Sequence, residues 1–147
     1  MQRLLPPRLA LILSALMAAF DSFLPGPELV PPAYQRLGLP LVVLGLGVAV
    51  AARAQFARAR TNIYTFSQPD HLVTDGLFRF TRNPMYLGFC LALTGLAVFL
   101  GSLAPVLCAV AYLVISDRWY IAFEEEMMRA RFGEAYQRYA RHTRRWL

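Results

Sequence analysis

Four apolar runs alternate with polar or proline-rich stretches along the chain. They cover residues 9–24, 37–52, 84–100 and 104–123, so each holds 16 to 20 residues. A helix rises about 1.5 Å per residue, and helices of this length suit a bilayer hydrocarbon core of roughly 30 Å. The pattern predicts an all-α integral membrane protein with four transmembrane helices in a single membrane domain, residues 1–147.

The connections between these runs differ in length. Only about three residues, 101–103, separate the last two runs, which predicts a tight antiparallel helical hairpin at the carboxy-terminal end of the bundle. The polar segment 53–83 is too long for a simple turn, and long loops are often functional. We interpret it as a cytoplasmic loop that holds a ligand.

The tail, residues 124–147, has a helical rather than a membrane-spanning pattern. Phe132, Tyr136 and Tyr139 recur at i, i+4 and i+7, with arginines on the other positions. This spacing predicts a cytoplasmic amphipathic helix that lies in the membrane interface or folds back under the hairpin. In either position it would close the site from below.

Composition supports the membrane assignment. Apolar residues make up 57% of the chain and charged residues 16%, against about 25% in ordinary globular proteins. All 15 basic residues are arginine, and the pI is near 9.9. The arginines gather at the ends of apolar runs without a nucleic-acid-binding motif, which indicates contact with anionic membrane lipids and not with nucleic acid. Cys90 and Cys108 have no CxxC or histidine partner, so neither a disulfide framework nor a metal site is predicted.

The first apolar run resembles a signal peptide because Arg3 and Arg8 precede it. No small-x-small cleavage site precedes the Pro-Gly-Pro turn at 25–27, so we expect an uncleaved first transmembrane helix. Asp21 lies near its far end, where exposure at the interface is favoured over a buried polar contact.

Small residues line the second and third runs. In lipid such residues allow helix backbones to approach closely. The residues concerned are Gly45, Gly47, Ala49, Ala51, Gly88, Ala92 and Gly95.

Arginine placement predicts the orientation. Two arginines precede the first run, five lie between the second and third, six follow the fourth, and the other two connections carry only Arg36. By the positive-inside rule, both termini and the loop before residue 86 face the cytoplasm. We expect a multi-pass protein of the inner, or cytoplasmic, membrane.

The sequence Arg82-Asn83-Pro84 marks the start of the third helix. The Asn83 side-chain oxygen is suited to cap it, and Pro84 suits its first position. The free N–H groups and the helix dipole favour an anionic group there. The alternative is that these residues form only a cap and a basic anchor.

The hairpin brings a second polar cluster to this loop. The fourth predicted helix ends at Glu124, Glu125 and Glu126, on the same side as Pro84. Three carboxylates at a helix carboxy terminus are unfavourable without a nearby positive charge. Arg82 and Arg118 are one source of that charge, and a cationic cofactor is the other.

These motifs together carry a family resemblance. LVTDGLFRFTRNPMYLG at 72–88, a helical hairpin and EEEMMRARFGEAYQRYARHTRRWL at 124–147 resemble the isoprenylcysteine carboxyl methyltransferase and phospholipid methyltransferase family. These are membrane enzymes that use S-adenosyl-L-methionine. The resemblance covers roughly half of the chain.

The candidate site residues come partly from the residue pattern and partly from the resemblance. Arg82, Glu125 and Arg118 are the candidate catalytic residues, with Arg118 a candidate to receive a substrate carboxylate. The isoprenylcysteine enzymes have histidine at the position of Asn83, so an imidazole base is excluded there. The residues that the resemblance assigns to the cofactor are His71, Leu72, Val73, Phe78, Asn83, Pro84, Tyr86 and Glu124.

The predicted function is S-adenosylmethionine-dependent methyl transfer to a lipophilic acceptor at the cytoplasmic membrane face. The acceptor would resemble an isoprenylcysteine carboxylate or a phospholipid. Two other classes stay open, namely a nicotinamide-dependent membrane reductase related to sterol reductases and a non-catalytic membrane scaffold.

Overall fold

A computed structural model of the protein describes residues 5–24, 26–59 and 71–147. The described residues are helical, with two isolated β-bridges as their only strand-like pairing. A 3-10 turn, Gly76–Arg79, precedes the fourth helix, and a π-helical segment, Ser116–Ile121, follows the fifth. The α-helices are α1 (Pro6–Phe23), α2 (Pro32–Gln35), α3 (Gly38–Arg58), α4 (Pro84–Leu100), α5 (Leu103–Ile115), α6 (Ala122–Phe132) and α7 (Glu134–His142). The all-α prediction is confirmed.

Three helical stretches are long and apolar enough to cross a membrane. They are Pro6–Phe23, Pro32–Arg58 and Leu103–Phe132. The fourth predicted span, Pro84–Leu100, is apolar but shorter, with 17 residues. The molecule is therefore an integral membrane protein by the length and composition of its helices.

Several helix ends differ from the predicted ones. Helix α3 continues past residue 52 to Arg58. More consequentially, α5, the π-helical segment and α6 follow one another without a break as far as Phe132. Residues 124–126 thus lie within a helix, and the prediction that they sit at a helix carboxy terminus is wrong. Arg3, Pro25 and the middle of the predicted loop, residues 60–70, lie outside the described residues.

The contact between α3 and α4 depends on glycine. A Cβ atom on Gly88 would lie 2.6 Å from the backbone nitrogen of Ala49, and one on Gly95 would lie 2.6 Å from the carbonyl oxygen of Gly38. A Cβ on Gly45 would meet the backbone of Ala92. The predicted close approach is confirmed on this face, whereas Gly47 has no neighbour within 4 Å of its hypothetical Cβ and lies outside the contact.

The core lies where α1 packs against α4 and α5. Met17, Tyr112 and Ile121 are fully buried there, and Leu93 is nearly so. Large apolar side chains also cover the outer face of α3, where Val43 and Val50 are exposed. Since water would penalise such a surface and lipid would not, the outer face suits a bilayer.

A tight turn joins α4 to α5 at the end of the bundle opposite residues 124–126. Gly101 has a φ of 82° there, and its carbonyl oxygen accepts hydrogen bonds from the N–H groups of Leu29 and Val30. The Ser102 hydroxyl donates to Asp21 Oδ1 at 2.7 Å. Asp21 is therefore half-buried and makes a polar contact within the protein.

Candidate active site

The loop before α4 is held by its own polar groups. Pro84 is the first residue of α4, as predicted, but Asn83 makes no side-chain capping hydrogen bond. Its backbone N–H instead donates to Thr81 Oγ1 at 3.1 Å. The capping prediction for Asn83 is wrong because the side-chain amide is used elsewhere: Asn83 Nδ2 donates to the carbonyl oxygen of Arg145 at 3.0 Å.

The carboxy-terminal segment, residues 143–146, pairs with this loop. The Arg82 N–H donates to the carbonyl oxygen of Arg144 at 2.9 Å, and Thr81 and Arg144 form a parallel bridge. Thr81 Oγ1 also donates to the carbonyl oxygen of Arg145 at 3.1 Å. The carboxy-terminal segment is thus a wall of the site.

The Arg82 side chain connects three elements. Its Nη2 donates to Glu125 Oε1 at 2.7 Å. Its Nη1 donates to the carbonyl oxygens of Ala140 and Thr143, at the end of α7. An arginine at a helix carboxy terminus satisfies unpaired carbonyls and complements the dipole. Arg82 therefore ties the start of α4 to α6 and to the end of α7.

Glu125 is the centre of a charged cluster. The residue is only 3% exposed and pairs with Arg82, Arg129 and Arg145 at 2.7, 3.1 and 2.8 Å. A buried carboxylate needs such compensation, since an unpaired one would be strongly destabilising. The pKa of Arg145 is raised above its ordinary value, chiefly because Glu125 accepts its hydrogen bonds. The positive charge needed beside the glutamates comes from arginines of three different elements.

Glu124 points to a different set of groups. Its Oε1 accepts a hydrogen bond from the Tyr86 hydroxyl at 2.8 Å. The Tyr86 ring stacks on Tyr120, with ring centroids 6.4 Å apart. Neighbouring carboxylates on one helix therefore have separate environments: arginines surround Glu125, and a tyrosine hydroxyl contacts Glu124.

These groups border a cavity of about 60 Å³ between the loop, α6 and α7. Tyr136 and Tyr139 of α7 form part of its wall, and the Tyr139 hydroxyl donates to the carbonyl oxygen of Phe78 at 2.6 Å. Burial raises the pKa of both tyrosines, so both stay neutral at physiological pH. The lining residues are Phe56, Leu72, Val73, Phe78, Arg82, Asn83, Glu124, Glu125, Met128, Tyr136 and Tyr139.

Seven of the eleven predicted site residues line this cavity. They are Leu72, Val73, Phe78, Arg82, Asn83, Glu124 and Glu125. Tyr86 contacts the site through Glu124, and buried Pro84 begins α4 without lining the cavity.

His71 and Arg118 are not among the lining residues. The His71 side chain is exposed. The Arg118 side chain is 85% exposed, and its Nε lies 3.6 Å from Asp117 Oδ2. The structure does not bring Arg118 to the other candidate catalytic residues, because it projects from the outer side of the π-helical segment.

Four lining residues were not among the candidates. Phe56 comes from the extra turns of α3, and its ring meets that of Phe78 edge to face at 4.8 Å. Met128 lies on α6 beyond the predicted end of its helix. The i, i+3 spacing of Tyr136 and Tyr139 indicated that α7 has an apolar face. Phe132 does not share this face, because the helix breaks at Gly133 and Phe132 belongs to α6.

This chain is similar to several protein-S-isoprenylcysteine O-methyltransferases. Protein-S-isoprenylcysteine O-methyltransferase A of Arabidopsis thaliana is 33% identical over 110 residues, which cover 71% of this chain and 54% of the relative. The B protein of the same plant is 29% identical over 113 residues, covering 74% and 56%. Protein-S-isoprenylcysteine O-methyltransferase of Schizosaccharomyces pombe is 31% identical over 110 residues, covering 72% and 46%. The chain spans about half the length of these relatives.

The family match covers α3 to α6, with Arg82 and the glutamates of α6, and does not extend to α1 or to Arg145. Residues 34–135 match phospholipid methyltransferase, PEMT. This range includes α3 to α6, the loop before α4 and the glutamates of α6. The chain belongs to the phospholipid methyltransferase family.

Proposed function

We propose that this chain is an S-adenosylmethionine-dependent methyltransferase that acts on a lipophilic acceptor at the cytoplasmic face of a membrane. The family membership and the names of the relatives support methyl transfer. The strongest structural support is the cavity in which loop and α6 residues of the family motifs meet.

The cavity wall has the chemistry that the charged end of the cofactor requires. S-adenosylmethionine supplies a methyl group on a sulfonium cation, which favours carboxylates and aromatic faces. Glu124 supplies the carboxylate, and Phe56, Phe78, Tyr136 and Tyr139 supply the aromatic surface.

The Nε atom of Arg82 is a candidate donor to the methionyl carboxylate of S-adenosylmethionine. Arg82 Nε is buried and has no hydrogen-bond partner in the described part of the chain, although its other nitrogens are paired. A buried donor without a partner costs about 1–3 kcal/mol. A ligand carboxylate bound at this wall would accept from Nε, and the N-terminus of α4 would add favourable potential.

The cavity volume implies that the site opens to bind. At about 60 Å³ it holds a few water molecules, whereas sites for ligands of drug size run to roughly 300–1,000 Å³. Side chains of the wall must therefore move for a nucleoside cofactor to enter.

In the proposed mechanism the protein aligns reactants and excludes water. Methyl transfer is a direct displacement, so the acceptor atom must approach in line with the methyl–sulfur bond. Arg82 and Asn83 would fix one end of the cofactor, and Glu124 the cationic end. The aromatic wall would keep water from the methyl group.

The absence of an imidazole at position 83 favours an acceptor that needs no base. A carboxy-terminal carboxyl group has a pKa of roughly 3.3–3.7 and is already ionised at neutral pH. An ionised carboxylate could therefore react without a base, whereas an ammonium headgroup would have to lose a proton first. Because the isoprenylcysteine enzymes have histidine at the position of Asn83, the absence of a base does not single out their acceptor. The relatives' name, O-methyltransferase, is in line with a carboxylate acceptor.

The membrane arrangement that suits this reaction has four spans. Helix α4, with 17 residues, is about 25 Å long and would cross beside α3, to which its glycines bind it closely. Both termini and the site would then face the cytoplasm. The water-soluble cofactor would enter from the cytoplasm and the acceptor sideways from the bilayer.

Ligand binding to the detergent-solubilised protein tests the class of function. Calorimetry should detect S-adenosylhomocysteine and no binding of NADPH. Binding of NADPH alone would favour a reductase, and binding of neither would favour a scaffold. Either result would overturn the proposal.

A further inference from the structure

Arg145 contacts more of the site than any other residue of the carboxy-terminal segment. Its Nε and Nη2 donate to the two oxygens of Glu125 at 3.1 and 2.8 Å, a bidentate pair. Its Nη1 donates to Asp117 Oδ1 at 3.1 Å. Its carbonyl oxygen accepts from Thr81 and Asn83. One residue therefore holds both α6 and the loop before α4.

The π-helical segment explains how Arg145 reaches two acids on one helix. Asp117 and Glu125 are eight residues apart, which in a regular α-helix separates them by about 80° around the axis. A π-type bulge adds one residue to a turn. Asp117 and Glu125 are therefore separated by about two full turns of the helix. Both carboxylates face the same side, where the guanidinium group of Arg145 binds them.

The neighbouring residue completes this attachment. Trp146 Nε1 donates to Asp117 Oδ1 at 2.9 Å. Arg145 and Trp146 thus share one carboxylate, and their bonds fix residues 143–146 along the helix. By contrast, Arg138 of α7 is exposed.

We propose that Arg145 is a positioning residue for methyl transfer, an inference that rests on the proposed function. Arg145 is not among the residues that line the cavity, so it acts through two that are. Its side chain sets the orientation of Glu125, which in turn holds Arg82, and its carbonyl oxygen sets the orientation of the Asn83 amide. A bidentate guanidinium is required because an ammonium keeps the charge but not the two-pronged geometry.

The test compares Arg145→Lys and Arg145→Gln with Arg138→Gln as the control, because Arg138 is an exposed arginine of α7. Each variant is solubilised in detergent and assayed with S-adenosylmethionine and N-acetyl-S-farnesyl-L-cysteine, a soluble isoprenylcysteine carboxylate. Turnover per folded protein should fall ten-fold or more in both Arg145 variants. The affinity for S-adenosylhomocysteine should fall as well, and Arg138→Gln should match the parent.

Docking of the segment is followed separately by Trp146 fluorescence in a Trp119→Phe background. Arg145→Lys should keep the parent spectrum and melting temperature while turnover falls, which a merely structural role would not produce. Parent-like turnover and affinity in Arg145→Lys would overturn the positioning role and leave the proposed function standing. If the parent itself binds no S-adenosylhomocysteine, the proposed function falls and the positioning role falls with it.

Discussion

Arg82 Nη2 lies 2.7 Å from Glu125 Oε1, although the two residues are 43 positions apart in the chain. The contact joins the start of α4 to the buried side of α6. Because Glu125 also binds Arg129 and Arg145, Arg82 belongs to a network and not to an isolated surface pair. Such a network makes the geometry of each guanidinium consequential.

Arg82→Lys should therefore reduce turnover by ten-fold or more, about 1.4 kcal/mol in the activation barrier. Lysine keeps the charge but cannot bind Glu125 and the two α7 carbonyl oxygens at once. Steady-state methyl transfer measures the effect, and Arg79→Lys is the control because Arg79 is exposed on the 3-10 turn. If both variants turn over like the parent, Arg82 is only a membrane anchor.

Glu124→Gln should weaken the binding of S-adenosylmethionine more than that of S-adenosylhomocysteine. The sulfonium carries a positive charge and the thioether of the product does not, so only the first loses a charge-assisted contact of about 1.5–3 kcal/mol. Calorimetry with both ligands measures the difference. Glu126→Gln, at an exposed position of the same helix, should leave both affinities unchanged. Equal losses of affinity for the two ligands would show that Glu124 does not contact the sulfonium.

Gly45→Ala should destabilise the protein, and Gly47→Ala should not. The new methyl group on Gly45 would meet the backbone of α4, and overpacking of this kind costs about 1–3 kcal/mol. At Gly47 the methyl group meets nothing within 4 Å, and alanine favours the helix. Thermal unfolding in detergent compares the two. Similar melting temperatures for both variants would argue against the close contact between α3 and α4.

Cysteine labelling tests the predicted orientation. In a variant with Cys90 and Cys108 replaced by alanine, single cysteines are placed at Thr74 and Tyr34, both exposed. Tyr34 follows the segment that binds the turn between α4 and α5. A membrane-impermeant maleimide added from the non-cytoplasmic side should label Tyr34→Cys and leave Thr74→Cys unlabelled. The reverse pattern would put the site on the other side of the membrane.

Local pattern predicted the helices and much of the cavity wall. Apolar runs and Pro84 marked the helices, and the short connection at residues 101–103 brought the loop and the glutamates together. The roles of individual side chains depended on the rest of the chain. The Asn83 side chain does not cap α4 because its amide donates to the carbonyl oxygen of Arg145. The sequence around Asn83 contains no pattern that predicts this distant contact.

The π-helical segment was equally hidden from the sequence. Residues 116–121 contain nothing that distinguishes a π-helical segment from an ordinary α-helix. The side of the helix that faces the site was therefore predicted incorrectly. Arg118 was therefore predicted to lie near the site, and Asp117 was not among the candidates. In the structure Asp117 accepts hydrogen bonds from Arg145 and Trp146. Contacts from Arg145 and Trp146 decide which side of this helix faces the site.

Transfer of a labelled methyl group tests the central claim most directly. Membranes that contain the protein are supplied with S-adenosylmethionine labelled on its methyl group, and the lipid-extractable fraction is analysed. Label should enter a lipophilic product with the parent and fall at least ten-fold with Arg82→Lys, while Arg79→Lys matches the parent. Label at background level with the parent, under conditions where the protein is folded and S-adenosylmethionine is in excess, would contradict the assignment of this site to methyl transfer.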